Sequence, residues 1–450
     1  MKPTHLLALS VLTIAGAYWL GLPGGTASGQ EAAKSDEPAP SRVVNVLDFG
    51  AKGDAKHDDT QAIQAALDAL RGDKHGKLVI PAGKYRITET LEMKLYYGPA
   101  VIVGEGGDTT LFWHGEAGGT LLLTEDINHT EFRDLSFSGV HVNKRERNQQ
   151  EGRAGILFLA LSNRGGNMVN RMSNVEFRHA QIGIQMGKKH SDHCNADYYF
   201  TRIGADHLGT FFYTKNNQGV DYLFNGLFAH ICDTVLHFER GGNLMVNNAQ
   251  MTKCPLYLHI EGGGRNCATF TNINVRHEHP RYGKKGRDQL LKATNIKWEQ
   301  ALVRFIGFND AQWAWFGKEV EERWRPLCEI GPGVNVTFES SVFNGPVAEV
   351  HGKEDKPGSL VIRESTFGFI LPHQAIRAGE YGYVRTENTL SDHGEPLPNI
   401  HKWPELPTMN IPPNGTLGPA ELPALNKNAG AAIKALKKQR QAWIKSIEKD

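Results

Sequence analysis

The sequence predicts an all-β protein wound as a right-handed parallel β-helix, with an N-terminal capping helix and a C-terminal helical tail. Three observations carry that expectation. Apolar triplets recur at a nearly fixed step: VEF, TRI, GLF, AQM and INV end at Phe177, Ile203, Phe228, Met251 and Val275, spaced by 26, 25, 23 and 24 residues. Four of the five are followed by a second apolar run (GIQM, TFFY, VLHF, YLHI), so each unit reads strand, turn, strand, turn. Finally, the 49 glycines and 21 prolines supply turns without a collagen period, and helical periodicity is almost absent between about residue 77 and residue 390. A step of ~25 residues suits one solenoid coil; propeller blades need nearly twice as much, and leucine-rich repeats would show LxxLxL. A later pair, Phe343 and Phe367, keeps a step of 24.

The elements follow in chain order. Residues 1–29 hold an apolar run, Leu6–Leu22, after Lys2 and His5, and small residues follow it, the pattern of an export signal. This predicts a secreted, periplasmic or cell-surface protein, with no stable membrane insertion once the signal is cleaved. Residues 30–41 (QEAAKSDEPAPS) read as a linker. The β-helix domain is placed at 42–390, opening with a strand at Arg42–Phe49. A helix of about ten residues follows, N-capped by Asp58, Asp59 or Thr60. Trp315–Arg325 is a candidate helix inside a loop. Residues 391–425 are proline-rich and read as a strap or linker. Residues 426–450 form a basic amphipathic helix, with Ile433, Leu436, Trp443, Ile444 and Ile447 on one face.

Charge excludes some partners. Fifty basic residues against 49 acidic ones leave +1, which gives no global field for nucleic acid, so none is expected as a partner. Five cysteines are too few for a disulfide framework, although a Cys232–Cys254 bridge between neighbouring coils is open after export. Oligomeric state is not legible.

Three blocks near the start carry a further signal: Asn45–Asp54 (NVLDFGAKGD), Asp58–Gln64 (DDTQAIQ) and Val79–Tyr85 (VIPAGKY). In order and spacing they resemble the entry segment of the pectate lyase superfamily, the rhamnogalacturonase A/B/epimerase-like right-handed β-helix proteins that also include many phage tailspikes. The resemblance implies the fold and a polysaccharide partner. It does not imply one chemistry, because the Asn-Thr-Asp, Asp-Asp, Gly-His-Gly and Arg-Ile-Lys motifs of polygalacturonase-like hydrolases do not occur here at coil spacing. Asp58-Asp59 reads as a helix cap, not a catalytic pair.

Chemistry is sought where equivalent positions of successive coils stack ~4.8 Å apart. Two places past the aligned residue stand His179, Ala205, His230, Lys253 and His277; the next two places add Asp206, Glu278, His207 and Cys232, with Asp233 one further. This column reads either as the cationic floor of a groove for an acidic sugar chain or as an internal polar ladder. For β-elimination on a uronate, Lys253, Arg276 or a bound cation would neutralise the carboxylate, and His230, His277 or Lys253 would take the proton. For hydrolysis the local carboxyls are Asp206, Asp233 and Glu278. His179, His207 and Arg276 are the expected substrate-binding residues. No cofactor is required; calcium would enter only with a lyase. His190, Asp192, His193 and Cys194 are metal-ligand types, but at no standard zinc spacing, and they read as a solvated loop. The expected function is an exported protein that cleaves or modifies an acidic polysaccharide by elimination or hydrolysis, the alternative being a glycan-binding or surface protein. Basic insertions at Val142–Arg153 and Arg281–Asp288 could wall the groove, and Tyr198, Tyr199, Trp298, Trp313 and Trp315 could stack on sugars.

Overall fold

A computed structural model describes residues 42–402, except 71–75, 95–98, 141–152, 164–165, 193, 263–267, 279–287, 295, 297–299, 313–324, 369–374 and 392–393. The expected signal, linker, loop helix (apart from Arg325) and C-terminal tail lie outside the described residues, as do most of both basic insertions and Trp298, Trp313 and Trp315.

The described chain is a parallel β-helix whose coils run from Val43 to Ser391. In the regular central part each coil holds one long strand and one short one. The long strands are Asn167–Arg178, Asn195–Asp206, Val220–His230, Gly242–Thr252 and Ala268–Glu278. The short ones are Ile182–Met186, Thr210–Thr214, Thr234–Phe238 and Leu256–Ile260. Each strand pairs in parallel with its equivalent one coil on, giving a 21-stranded and an 11-stranded sheet.

The long strands are bent. Asn174, Arg202, Gly226, Asn248 and Asn274 all take left-handed backbone angles, φ 52 to 84°, and pairing skips them. Asparagine tolerates this region better than most residues, and its amide can bond its neighbour in the next coil. Asn274 Nδ2 donates to Asn248 Oδ1 at 3.2 Å.

Alternation places Met172, Val175 and Phe177 inside, and their partners stack above them. Phe200 and Phe224 lie face to face with ring centres 4.2 Å apart. Burying one such side chain contributes about 1.5–3 kcal/mol, and the column repeats it on every coil.

The opening differs in detail from expectation. The strand is only Val43–Asn45, and Val46–Phe49 is a 3-10 turn. The helix is Thr60–Ala69, and its cap is shared. Asp58 accepts from Thr60 N and Oγ1, whereas Asp59 accepts from Lys52 N and Gly53 N and closes the preceding loop. At the far end, Leu397 and Ile400 pack on the core, and His401–Lys402 pairs antiparallel with Val384–Arg385. The beginning of the proline-rich segment therefore folds back over the last coil, where an open strand edge would otherwise recruit another chain. No helix among the described residues is long and apolar enough to cross a membrane.

Candidate active site

Pairing register decides which side chains meet. The true partners of Phe177 are Ala205, Ala229, Met251 and His277. The apolar alignment was therefore two residues off at Ile203 and Val275 and one off at Phe228. A shift of two keeps a residue on its face; a shift of one turns it over. Phe228, used as a core anchor, is in fact 49% exposed.

The expected column consequently separates into three environments. Ala205 and His277 point inward. His179 and Lys253 occupy left-handed turn positions in a row with His207 and Ile231, φ 52 to 56°. His230 belongs to the last outward row of the long strands, which reads Ser138, Arg178, Asp206, His230, Thr252, Glu278. Register thus brings Asp206, His230 and Glu278 into one row, although the sequence had set His230 in a different column from Asp206 and Glu278.

His277 is corrected most sharply. It is fully buried: its Nε2 donates to Cys254 O at 3.1 Å, and its Nδ1 accepts from Gln312 Nε2 at 3.3 Å. A side chain so placed cannot meet a polymer outside the solenoid. Lys253 and Asp233 are exposed but do not line the cleft described next.

That cleft, about 500 Å³, is lined by Lys84, Thr110, Ser138, Glu176, Arg178, His179, Gly204, Asp206, Phe228 and His230. Its centre is a carboxylate shared by two imidazoles. Asp206 Oδ1 lies 2.8 Å from His207 Nδ1 and 2.8 Å from His230 Nδ1. An ionised carboxylate only accepts, so both Nδ1 atoms carry hydrogen and the lone pair of each neutral ring sits on Nε2. The His179 and His207 rings stand 5.0 Å apart, extending the cluster by one coil. Backbone bonds set the turn: His179 N donates to Asp206 O and His207 N to His230 O, both at 3.0 Å. Arg153 Nη2 donates to Ala180 O and His207 O and ties the same turn together.

The adjacent outward row, two residues earlier, reads Ser136, Glu176, Gly204, Phe228, Gln250, Arg276. Glu176 pairs with Arg178, and Arg276 Nε reaches Glu278 Oε1 at 2.6 Å. Gly204 keeps the floor low, since a Cβ there would stand 3.0 Å from Glu176 Cγ. Glu176, Gly204 and Phe228 also line a second cleft of about 540 Å³ that runs on to Arg276, so the two share a wall and form a longer groove.

His179, Asp206 and His207 present three ligand atoms within 4.8 Å of one another. Calcium, which takes six to eight oxygen ligands, does not fit this set, because two of its three donors are imidazole nitrogens.

Sequence reasoning missed Lys84, Glu176, Arg178 and Phe228. Arg178 and Glu176 flank the alignment anchor Phe177, so a correct register would have found both. Other expectations resolve simply. The Cys232 and Cys254 thiols are free and donate to carbonyls two residues back. In the Lys188–Asp197 loop, Asp192 caps Lys188 N and Lys189 N, and His190 Nε2 bonds Glu239 Oε1 at 2.8 Å. Tyr198 is core, while Tyr199 is 41% exposed.

Comparison with known proteins adds the family. Residues 43–256 match the model described as "Rhamnogalacturonase A/epimerase, pectate lyase-like". Within a chain folded as a parallel β-helix, this segment is pectate lyase-like. Among curated proteins the chain is 57% identical over 44 residues to Alginate lyase 7 of Azotobacter vinelandii, a match covering 10% of this chain and 5% of that one. It is 27% identical over 149 residues to Plasmin and fibronectin-binding protein A of Streptococcus pneumoniae, covering 30% and 20%. The chain therefore spans only a small part of these relatives. Among solved structures, the A-module of the Azotobacter vinelandii mannuronan C-5 epimerase AlgE6 overlaps with a TM-score of 0.46 at 16% identity, covering 77% of this chain and 99% of that module.

Proposed function

We propose that this chain acts on an acidic, uronate-containing polysaccharide, by taking the proton from the carbon that bears the carboxylate. The observation that carries the reading is the Asp206 carboxylate in the cleft, shared by His230 of the cleft lining and by His207 at the turn beside it. Asp206 orients both rings and stabilises the imidazolium that forms, so one Nε2 receives the proton as base. The electron pair left on carbon is delocalised into the carboxylate, whose charge Lys84 offsets from the cleft wall. In an elimination that pair then forms the carbon–carbon double bond, and the glycosidic oxygen leaves, protonated by the imidazolium Nε2 that took the proton from carbon. Return of a proton to the other side of the carbon would instead give epimerisation.

Hydrolysis is the weaker reading for a stated reason. It needs two carboxyls free to act across the bond. Here Asp206 Oδ1 holds two imidazoles, and Glu176 is paired with Arg178. Calcium has no step in the reading, because the donors at the cleft do not suit it. The similarity to alginate lyase supports a uronate polymer and makes alginate the first to try. The leader-like residues 1–29 support export, so that the substrate is met outside the cytoplasm; the N-terminal residue of the mature protein tests this. A non-catalytic surface role is favoured by one observation, the similarity to the plasmin and fibronectin-binding protein.

The test is incubation with a panel of uronate polysaccharides, following unsaturated product by absorbance and reducing ends by colour. Unsaturation with matching reducing ends is expected of elimination. Reducing ends alone would overturn the elimination step in favour of hydrolysis. Binding without any change in the polymer would leave the surface role.

A further inference from the structure

The face built from the short strands carries a second histidine cluster that the cleft does not use. Its outward row reads Gln185, Tyr213, His237, His259, Lys292, while Phe212, Leu236, Leu258 and Leu291 alternate inward. The His237 and His259 rings stack with centres 4.5 Å apart and planes inclined by 18°. Glu261 follows the Leu256–Ile260 strand, and its N–H donates to Phe238 O at 2.9 Å, which sets its side chain beside the preceding coil. Its Oε1 lies 3.0 Å from His237 Nε2 and 3.8 Å from His259 Nε2.

These distances suit a small cation. Ligand atoms around a tetrahedral ion at ~2.0–2.2 Å are about 3.3–3.6 Å apart, between the two observed values. All three ligand atoms lie within 4.8 Å of one another. The side chains are 19%, 23% and 34% exposed, so the set is walled yet open to solvent for a fourth ligand. Lys292, next in the row, opposes a cation; Glu239, one coil back, favours one, though it already holds Tyr213 and His190.

We propose that His237, His259 and Glu261 bind a late first-row divalent cation such as zinc, clamping two adjacent coils on the face formed by the short strands. Two imidazoles with one carboxylate suit zinc, copper or nickel, and suit calcium or magnesium poorly. The bound ion replaces the His237–Glu261 hydrogen bond.

The full chain, freed of metal with a chelator, is titrated with zinc by calorimetry, and melting is followed with and without zinc. One saturable ion per chain and a raised Tm are expected. His259→Gln and Glu261→Gln should each weaken uptake by about tenfold or more and abolish the rise in Tm. Glu261→Gln keeps an oxygen acceptor for His237, so its fold should persist; circular dichroism checks this. A His179→Gln/His207→Gln double variant, altered in the cleft, should bind zinc like the parent. Absence of saturable uptake would overturn the proposal. So would uptake that survives both short-strand variants or is lost only in the cleft variant.

Discussion

Two faces of one solenoid each set two histidines against one carboxylate, and they differ in shape. At the cleft, His207 and His230 lie at the end of the bent strands, beside the turn, 43% and 33% exposed on their side chains. On the short-strand face, His237 and His259 stand in a flat row against their neighbours and are more buried. The flat row cannot enclose a polymer, whereas the bend and Gly204 leave a concave floor under Asp206. Stacked polar residues are thus a consequence of coil repetition; a substrate site also needs a hollow beside them. The outer rows of the later coils make the same point. There Arg304, Glu339, Arg363 and Glu387 pair across coils as a charge ladder, and none of them lines either part of the groove.

The comparison can be broken most forcefully at Asp206. Asp206→Asn keeps the shape but removes the charge behind both imidazoles. Turnover on the active polymer should fall by about 10²–10⁴-fold with little change in Tm. A full-rate variant would deny the cleft its role.

His277→Ala should do the reverse. It strips partners from Cys254 O and Gln312 inside the core, costing about 1–3 kcal/mol in denaturant unfolding while leaving KM near the parent value. A large loss of turnover with unchanged stability would restore His277 to the surface.

The third prediction concerns pH. Burial, with His237 and Lys292 nearby, pushes His259 down from 6.5 to about 4, and burial lowers His237 too. The unfolded chain therefore binds more protons than the folded one over this range. The stability these groups contribute is present above about pH 6.5 and is lost as pH falls towards 4. Melting curves across that window should be flatter for His259→Gln than for the parent; equal slopes would contradict the burial effect.

The smallest effect is expected at Lys253, once the centre of the predicted column. It is exposed, at a turn, and outside the cleft lining. Lys253→Met should alter stability by no more than about 0.5 kcal/mol. Affinity for the polymer, measured alongside, should stay near that of the parent.

These corrections show what the sequence could carry. Repetition of apolar residues revealed the coil and its approximate length, because every coil must bury the same faces. Exact register was hidden, since the true steps from Phe177 to Ala205, Ala229, Met251 and His277 are 28, 24, 22 and 26. Three of those four inward positions are alanine or histidine, which send little apolar signal. Asp206, His207 and His230 were nevertheless legible as candidates, because their residue types are rare in strands and clustered near one turn. Their convergence on a single oxygen atom depends on register and could only come from the structure.

The central claim is proton removal at the cleft, and deuterium incorporation tests it most directly. A uronate polymer is incubated in D2O with the parent protein or Asp206→Asn and examined by NMR. The account predicts that the parent introduces deuterium or unsaturation at the carbon bearing the carboxylate, and that Asp206→Asn introduces neither on the same timescale. Cleavage by the parent without either mark, or equal marking by both proteins, would contradict it.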